Sequence, residues 1–195
     1  MSSALVLDLA KEITLDHENV RDLFQRFQAA KNKEEKAPIA NTLIREIAVH
    51  GDAEEMSVYN DLAQYGLESV SDHNREEHLE VKRMVYEAEN ASIDSPDYDE
   101  IMSRAVTTFL KHSEEEEKDH LPKLVAALSP EENDALARKF LGTRMTVPSR
   151  AHPSAPVSGG IGQKAAQLQA MFHDKIVDTI NQRQFVEVKY AHPAL

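Results

Sequence analysis

The residues with chemistry to offer are histidines and glutamates standing where a helical bundle would carry leucines. From Leu43 the chain steps in threes and fours through Ile47, His50 and Glu54 to Val58 or Leu62. From Ala105 it steps likewise through Phe109, His112 and Glu116, with His120 one turn further. Such spacing keeps side chains on one helix face. A third stretch lines up His73, Glu77, Val81 and Met84, and His17 lies seven residues before Phe24 on the inward face of a fourth. Four segments therefore turn a histidine inward, three of them with a carboxylate four residues later. Burying so many ionisable groups is costly unless they are paired or bound to metal. An i, i+4 His/Glu pair puts both tips on one ridge. Four such ridges around an axis can surround two cations, with histidines as terminal ligands and carboxylates bridging. Imidazole mixed with carboxylate suits iron or manganese. The chain has no cysteine, so disulfides, thiolate zinc sites, iron–sulfur clusters and cysteine nucleophiles are excluded. Taken alone, Glu114–Glu117 is a solvated acidic face and a single histidine an ordinary surface or core residue. The same placement in four segments argues against that reading.

These side chains need helices to hold them. Val20, Leu23, Phe24 and Phe27 form one apolar stripe; Leu43, Ile44 and Ile47 a second; Val81, Met84, Val85 and Ala88 a third; Ile101, Ala105, Phe109 and Leu110 a fourth. Helix breaks are expected at residues 31–33, at Tyr65-Gly66 and at residues 94–96. Ser129-Pro130-Glu131-Glu132 opens a short fifth helix with a capping serine, a first-position proline and a third-position glutamate. No β-type alternation of any length occurs. The pattern predicts an all-α, up-down-up-down antiparallel four-helix bundle over residues 1–142, its core at about 10–128. Glycine and proline crowd into residues 143–162, a linker by composition. A final helix is expected from about Gln163 to Arg183, its apolar face (Ala166, Leu168, Met171, Phe172, Ile176, Ile180) packing on the bundle or forming a homodimer contact.

Acidic residues outnumber basic ones, 34 to 22, in a chain of 195 residues with a formal net charge of −12. That charge argues against nucleic acid or an anionic membrane as a partner. The N-terminus has no basic n-region and no sustained apolar run, and no stretch approaches the length of a membrane helix. A cytoplasmic protein is the expectation. There is no G-x-S-x-G elbow, no phosphate-binding glycine loop and no H-E-x-x-H motif, so hydrolase, NTPase and metalloprotease readings have no support.

The segments LDHENVRDLF around His17, HGDAEEMSVY from His50, DHNREEHLEV around His73 and HSEEEEKDHLPKL from His112 resemble the hemerythrin-like, HHE cation-binding family. The two His-x-x-x-Glu-Glu repeats and the proline shortly after the paired acids are its most specific marks here. The resemblance implies a four-helix bundle around two iron ions (Fe2+/Fe3+, oxo- or hydroxo-bridged), with manganese or zinc as substitutes. It implies that His17 and His50 serve one iron, His73 and His112 the other, and that Glu54 and Glu116 bridge. Oxygen-carrying members have a histidine four residues after the equivalent of His73; here that position is Glu77. An i+4 step keeps Glu77 on the ridge and makes it the preferred ligand. His78, a further ~100° round the helix, is the competitor, brought inward by a local π-bulge. A carboxylate in place of imidazole stabilises the ferric state and disfavours reversible oxygen carriage. The implied ligand is O2, NO or peroxide. The implied role is oxygenase, oxidase or peroxidase on a small organic substrate, or sensing or storage without turnover. A metal-free helical interaction module is the rival from another class.

Three smaller features complete the reading. Gly51, mid-helix beside His50, either makes room for a ligand or close helix approach or is simply tolerated. His120 is a proton relay or a partly exposed partner of the helix C-terminus. His152, His173 and His192 have no ligand spacing.

Overall fold

The computed structural model describes residues 5–155, 161–180 and 183–194. All its regular structure is helical, and no described helix is long and apolar enough to cross a membrane. Helix α1 (Leu9–Ala29) starts where the Asp8 carboxylate accepts the Lys11 N–H. After the break at residues 30–32, α2 (Lys33–Ser57) is capped in the same way by Asn32. It gives way to irregular turns and a 3-10 turn at Leu62–Tyr65, ended by Gly66 at φ 73°. Only glycine adopts that conformation without strain. Helices α3 (Glu68–Asn90) and α4 (Tyr98–Glu115) follow. The fourth ridge then continues through a π-turn at Glu116–His120 into α5 (Leu121–Ala127). Helix α6 (Pro130–Arg144) opens with the reciprocal Ser129/Glu132 capping box that the sequence spelled out.

Helix α1 packs on α2 and α4, and α3 on α2 and α4, closing an antiparallel bundle that α6 covers on the α1/α2 side. Its interior has two apolar clusters with a polar layer between them. One cluster is built on Leu23, Phe27, Leu43, Ile47, Val85 and Phe109. The other is built on Leu9, Ile13, Ala53, Leu121, Leu124 and Phe140. Along each bundle helix, the residues between the two clusters are the chemical ones: His17 on α1, His50 and Glu54 on α2, His78 on α3, His112 and Glu116 on the fourth ridge. Apolar packing on both sides is what holds these charged groups away from water.

The described residues beyond 144 lie against this bundle. Helix α7 (Ile161–Ile180) turns a polar face inward, with Gln163, Gln167 and Asp174 buried, while Leu168, Phe172 and Ile176 are more than half exposed. Of the apolar face the sequence picks out, Ala166 and Met171 are half-buried, and the side chain of Ile180 lies outside the described residues. The helix is therefore docked by polar contacts. Gln163 donates to Glu55, and Asp174 accepts the Ser149 N–H and faces His152. Residues 183–194 run extended along α1 and α2. Asn19 bonds the Tyr190 backbone through both its amide groups, and His192 lies 2.9 Å from Glu12 and 2.8 Å from Asp16.

Candidate metal centre

Four imidazoles and two carboxylates meet in the polar layer, all essentially buried. The Nε2 atoms of His17 and His50 are 3.3 Å apart, and those of His78 and His112 2.9 Å. Glu54 Oε2 lies 3.2 Å from His50 Nε2 and 3.4 Å from His78 Nε2. Glu116 Oε2 lies 3.5 Å from His17 Nε2 and 3.9 Å from His112 Nε2. Each carboxylate thus faces one imidazole of each pair. Within the set, His17/His50/Glu116, His50/Glu54/His78 and Glu54/His112/Glu116 each bring ligand atoms within 4.8 Å of one another.

Behind every ligand-side Nε2 stands a carboxylate at the other ring nitrogen. Asp16 is 3.1 Å from His50 Nδ1, Glu117 is 2.7 Å from His17 Nδ1, and Glu77 is 2.7 Å from His112 Nδ1. Glu55 is the exception: it lies 3.4 Å from His78 Nδ1 without hydrogen-bonding to it, its oxygens taken by Lys82 and Gln163, and that Nδ1 has no hydrogen-bond partner among the described residues. These acids follow a rule. Each is the chain neighbour of an inner group (Asp16 of His17, Glu55 of Glu54, Glu77 of His78, Glu117 of Glu116) and serves the histidine of the next helix round the bundle. One residue is ~100° of helix, so the neighbour of an inward group points sideways at the adjacent helix. Carboxylate behind imidazole fixes the tautomer and raises the basicity of the opposite nitrogen, the usual support of a metal-binding histidine.

The structure brings His17, His50, Glu54, His112 and Glu116 together, and places His73 and Glu77 outside that cluster. His73 is about half exposed (side chain 47%), and Glu77 supports His112 from outside. The α3 position in the cluster belongs to His78, reached by an uninterrupted α-helix. The inward ridge of α3 runs Ser71, Asn74, His78, Val81, Val85 and Ala88, whereas Met84 is only half-buried. A line drawn through Met84 and Val81 leads back to Glu77 and His73; one drawn through Val85 leads to His78. The π-turn sits on the fourth ridge instead, where the Leu121 N–H reaches the Glu116 carbonyl. His120 is thereby carried off the inward line it was expected to extend. Gly51 lies against His78, where a Cβ would meet Nδ1 at 3.4 Å, an ordinary van der Waals contact.

Tyr59, the last residue of HGDAEEMSVY, belongs to this layer, though no spacing in the sequence singles it out. Its buried hydroxyl donates to Glu54 Oε2 at 2.8 Å and lies 3.1 Å from His78 Nε2 and 3.3 Å from Glu116 Oε1. Asn74 also donates to Glu116. Buried Lys82 between Asp52 and Glu55 closes the outer layer beside α7.

The donor set suits cations better than it suits itself. Burial and the neighbouring Glu54 push the Glu116 carboxyl up, while Glu54, despite its burial, is held down by His50. Burial pulls His17 down to about 4 and His78 well below the ordinary imidazole value. Burial acts on His50 in the same sense, but Glu54 and Asp16 outweigh it and raise the group to about 10. Glu54 Oε1 and Glu116 Oε2 are buried without a hydrogen-bond partner among the described residues. Unpaired buried carboxylate oxygens opposed by converging imidazole nitrogens are what a metal-binding core leaves when its groups face only each other.

Residues 8–124 match the model of the hemerythrin HHE cation binding domain. The chain belongs to the hemerythrin family. An uncharacterized hemerythrin-like protein of Schizosaccharomyces pombe (strain 972 / ATCC 24843) is 29% identical to it over 151 residues, 76% of this chain and 74% of the relative. No solved structure matches it. Membership of the family implies metal binding, and the His/Glu clusters of the buried layer are groups able to hold a metal ion.

Proposed function

We propose that this hemerythrin-family chain holds two iron ions among His17, His50, Glu54, His78, His112 and Glu116, and uses them to bind or activate O2, peroxide or NO. The observation that carries the reading is the paired imidazoles converging on two carboxylates, with a carboxylate behind each ring. Four imidazole nitrogens and two carboxylates, with no thiolate, are a donor set for iron or manganese. Iron held there would supply the redox chemistry. The chain's own groups supply the rest. Glu54 and Glu116 lie between the two histidine pairs, in position to bridge. Asp16, Glu77 and Glu117 orient the rings. Phe109 and Phe140 meet His50 edge to face and shield it from water on that side. Burial and the two nearby carboxylates push the Tyr59 hydroxyl well above its ordinary value of 10, so its proton stays on Oη beside the layer.

The test is metal analysis of protein from iron-supplemented cells, with an absorption spectrum before and after O2 or hydrogen peroxide is added to the reduced protein. Two irons per chain and a spectrum that responds are expected. A folded, colourless protein that takes up no iron on anaerobic reconstitution would overturn the reading.

A further inference from the structure

His73, Glu77, Glu115 and His120 stand just outside the buried layer and have no part in it as ligands. Glu115 Oε1 is their hub, 3.3 Å from His73 Nε2 and 3.8 Å from His120 Nε2. Glu77 Oε2 lies 3.6 Å from His73 Nε2, so that His73, Glu77 and Glu115 bring one ligand atom each within 4.8 Å of the others. The two imidazoles meet edge to face with centroids 6.0 Å apart. His120 is more than nine-tenths buried, its Nδ1 has no partner among the described residues, and its Nε2 lies 3.8 Å from both Glu115 and Asp119. The π-turn makes this possible. An i, i+5 step stacks residues in a π-helix, and Glu115 and His120 are five apart across that turn. The site is open: the side chains of His73 and Glu115 are 47% and 44% exposed. It is also joined to the interior, because the Glu77 oxygen that faces His73 also faces His112 Nδ1 at 2.7 Å.

We propose that His73, Glu77 and Glu115, backed by His120, form a second, exchangeable site for a divalent first-row cation, through which metal enters the buried centre. Two imidazoles with two carboxylates suit Fe2+, Mn2+ or Zn2+. Half exposure lets ions arrive and leave, and Glu77 is the side chain shared between the solvent-facing site and the imidazole behind it. The inference rests on the buried layer being the iron centre.

The experiment uses the full chain and the double variant His73→Ala/Glu115→Gln. Both positions are about half exposed, so the variant should keep the wild-type circular dichroism and melting point; Glu115→Gln alone serves as the milder variant. Iron-loaded protein is titrated with Mn2+ and free Mn2+ is read by electron paramagnetic resonance. Manganese lies below iron in affinity for such sites, so it will not displace the buried ions. Wild type should bind one further Mn2+ and the variant none. In stopped-flow reconstitution with Fe2+, the metal-free variant should fill at least 5-fold more slowly than wild type, yet reach the same two irons. A wild type that binds no extra Mn2+, or a variant that fills at the wild-type rate, would overturn the proposal. So would a variant that ends with fewer than two irons, which would make His73 and Glu115 part of the buried centre. Failure of the underlying reading looks different: wild type itself then retains no tightly held iron.

Discussion

His78 and His73 are five residues apart on one helix, and the sequence offers both as ligands; replacing each by alanine separates them. His78 is 2% exposed, with Nε2 against Glu54, His112 and Tyr59. Its loss removes a donor that no neighbour replaces. A ligand present at a hundred times its dissociation constant stabilises the folded state by about 2.7 kcal/mol. In a chain of this size each kcal/mol moves the melting temperature by about 2–4 °C. Losing one ion should therefore lower Tm by about 5–11 °C, with metal content falling from two per chain to one or less. His73, half exposed, should behave as a surface position, within about 0.5 kcal/mol of wild type, and keep both tightly bound ions. The assay pairs metal analysis after gel filtration with calorimetry, before and after exhaustive chelation. Chelated wild type and chelated His78→Ala should lie closer together in Tm than their metal-loaded forms, since most of the difference is metal binding. His78→Ala with full metal content, or His73→Ala that loses tightly bound metal, would refute the assignment of the α3 ligand.

The outer carboxylates and Tyr59 give further tests. Glu117→Gln keeps an acceptor near His17 Nδ1 but removes the charge, and should weaken metal binding about 10-fold or more in chelator competition; unchanged affinity would mean that the outer ring is only packing. Tyr59→Phe leaves Glu54 and Glu116 with fewer partners and should cost the metal-free protein about 1–3 kcal/mol. The metal-loaded form should lose less, because the ions take up those oxygens, and equal losses in urea melts would count against that account. The docking of α7 should depend on pH through His152. Its bond to buried Asp174 raises it above its ordinary 6.5 against the pull of burial, with Asp52 and Glu89 adding in the same sense. A raised imidazole stabilises fully below the unfolded value of about 6.5 and loses that contribution as pH climbs through the folded value. Hydrogen exchange in α7, corrected for the intrinsic pH effect, should therefore show less protection at pH 8.5 than at pH 6, and His152→Gln should remove the difference.

Much of the bundle is readable from its residues. The stripes Leu43-Ile44-Ile47 and Ala105-Phe109 have the helical period, and Asp8, Asn32 and Ser129 cap where the helices start. On α2 and the fourth ridge, His50 and Glu54, like His112 and Glu116, extend apolar lines already fixed by several large side chains, and the structure puts them in the layer those lines point to. Helix α3 is different because its stripe is nearly two residues wide. Val81, Met84, Val85 and Ala88 admit two lines, and a 100° choice between them exchanges Glu77 for His78. Nothing local decides it: Tyr59 and Glu54 facing His78, and Asn74 against Glu116, do so from across the bundle. Tyr59 was out of reach for a related reason, since it lies past the end of α2 in irregular turns where periodicity says nothing. The polar docking of α7 was hidden because an exposed apolar face and a buried polar one give the same amphipathic pattern.

The doubled acids show how much a short motif can hold once neighbouring helices are considered. In HGDAEE and HSEEEE the glutamate four residues after the histidine is the inner group. The one after it looks redundant in one dimension. Turned a further 100°, Glu55 and Glu117 leave the inward face of their own helix and stand behind His78 and His17 of the next. Asp16 and Glu77, the residues just before His17 and His78, stand in the same way behind His50 and His112. The layer is thus a closed ring in which every helix supplies both a candidate ligand and the support for its neighbour's. Two of these supports are in turn held by the C-terminal segment, Glu55 by Gln163 and Asp16 by His192. Changes in that segment can therefore reach the buried histidines through one intervening carboxylate, without any of its described residues entering the layer itself.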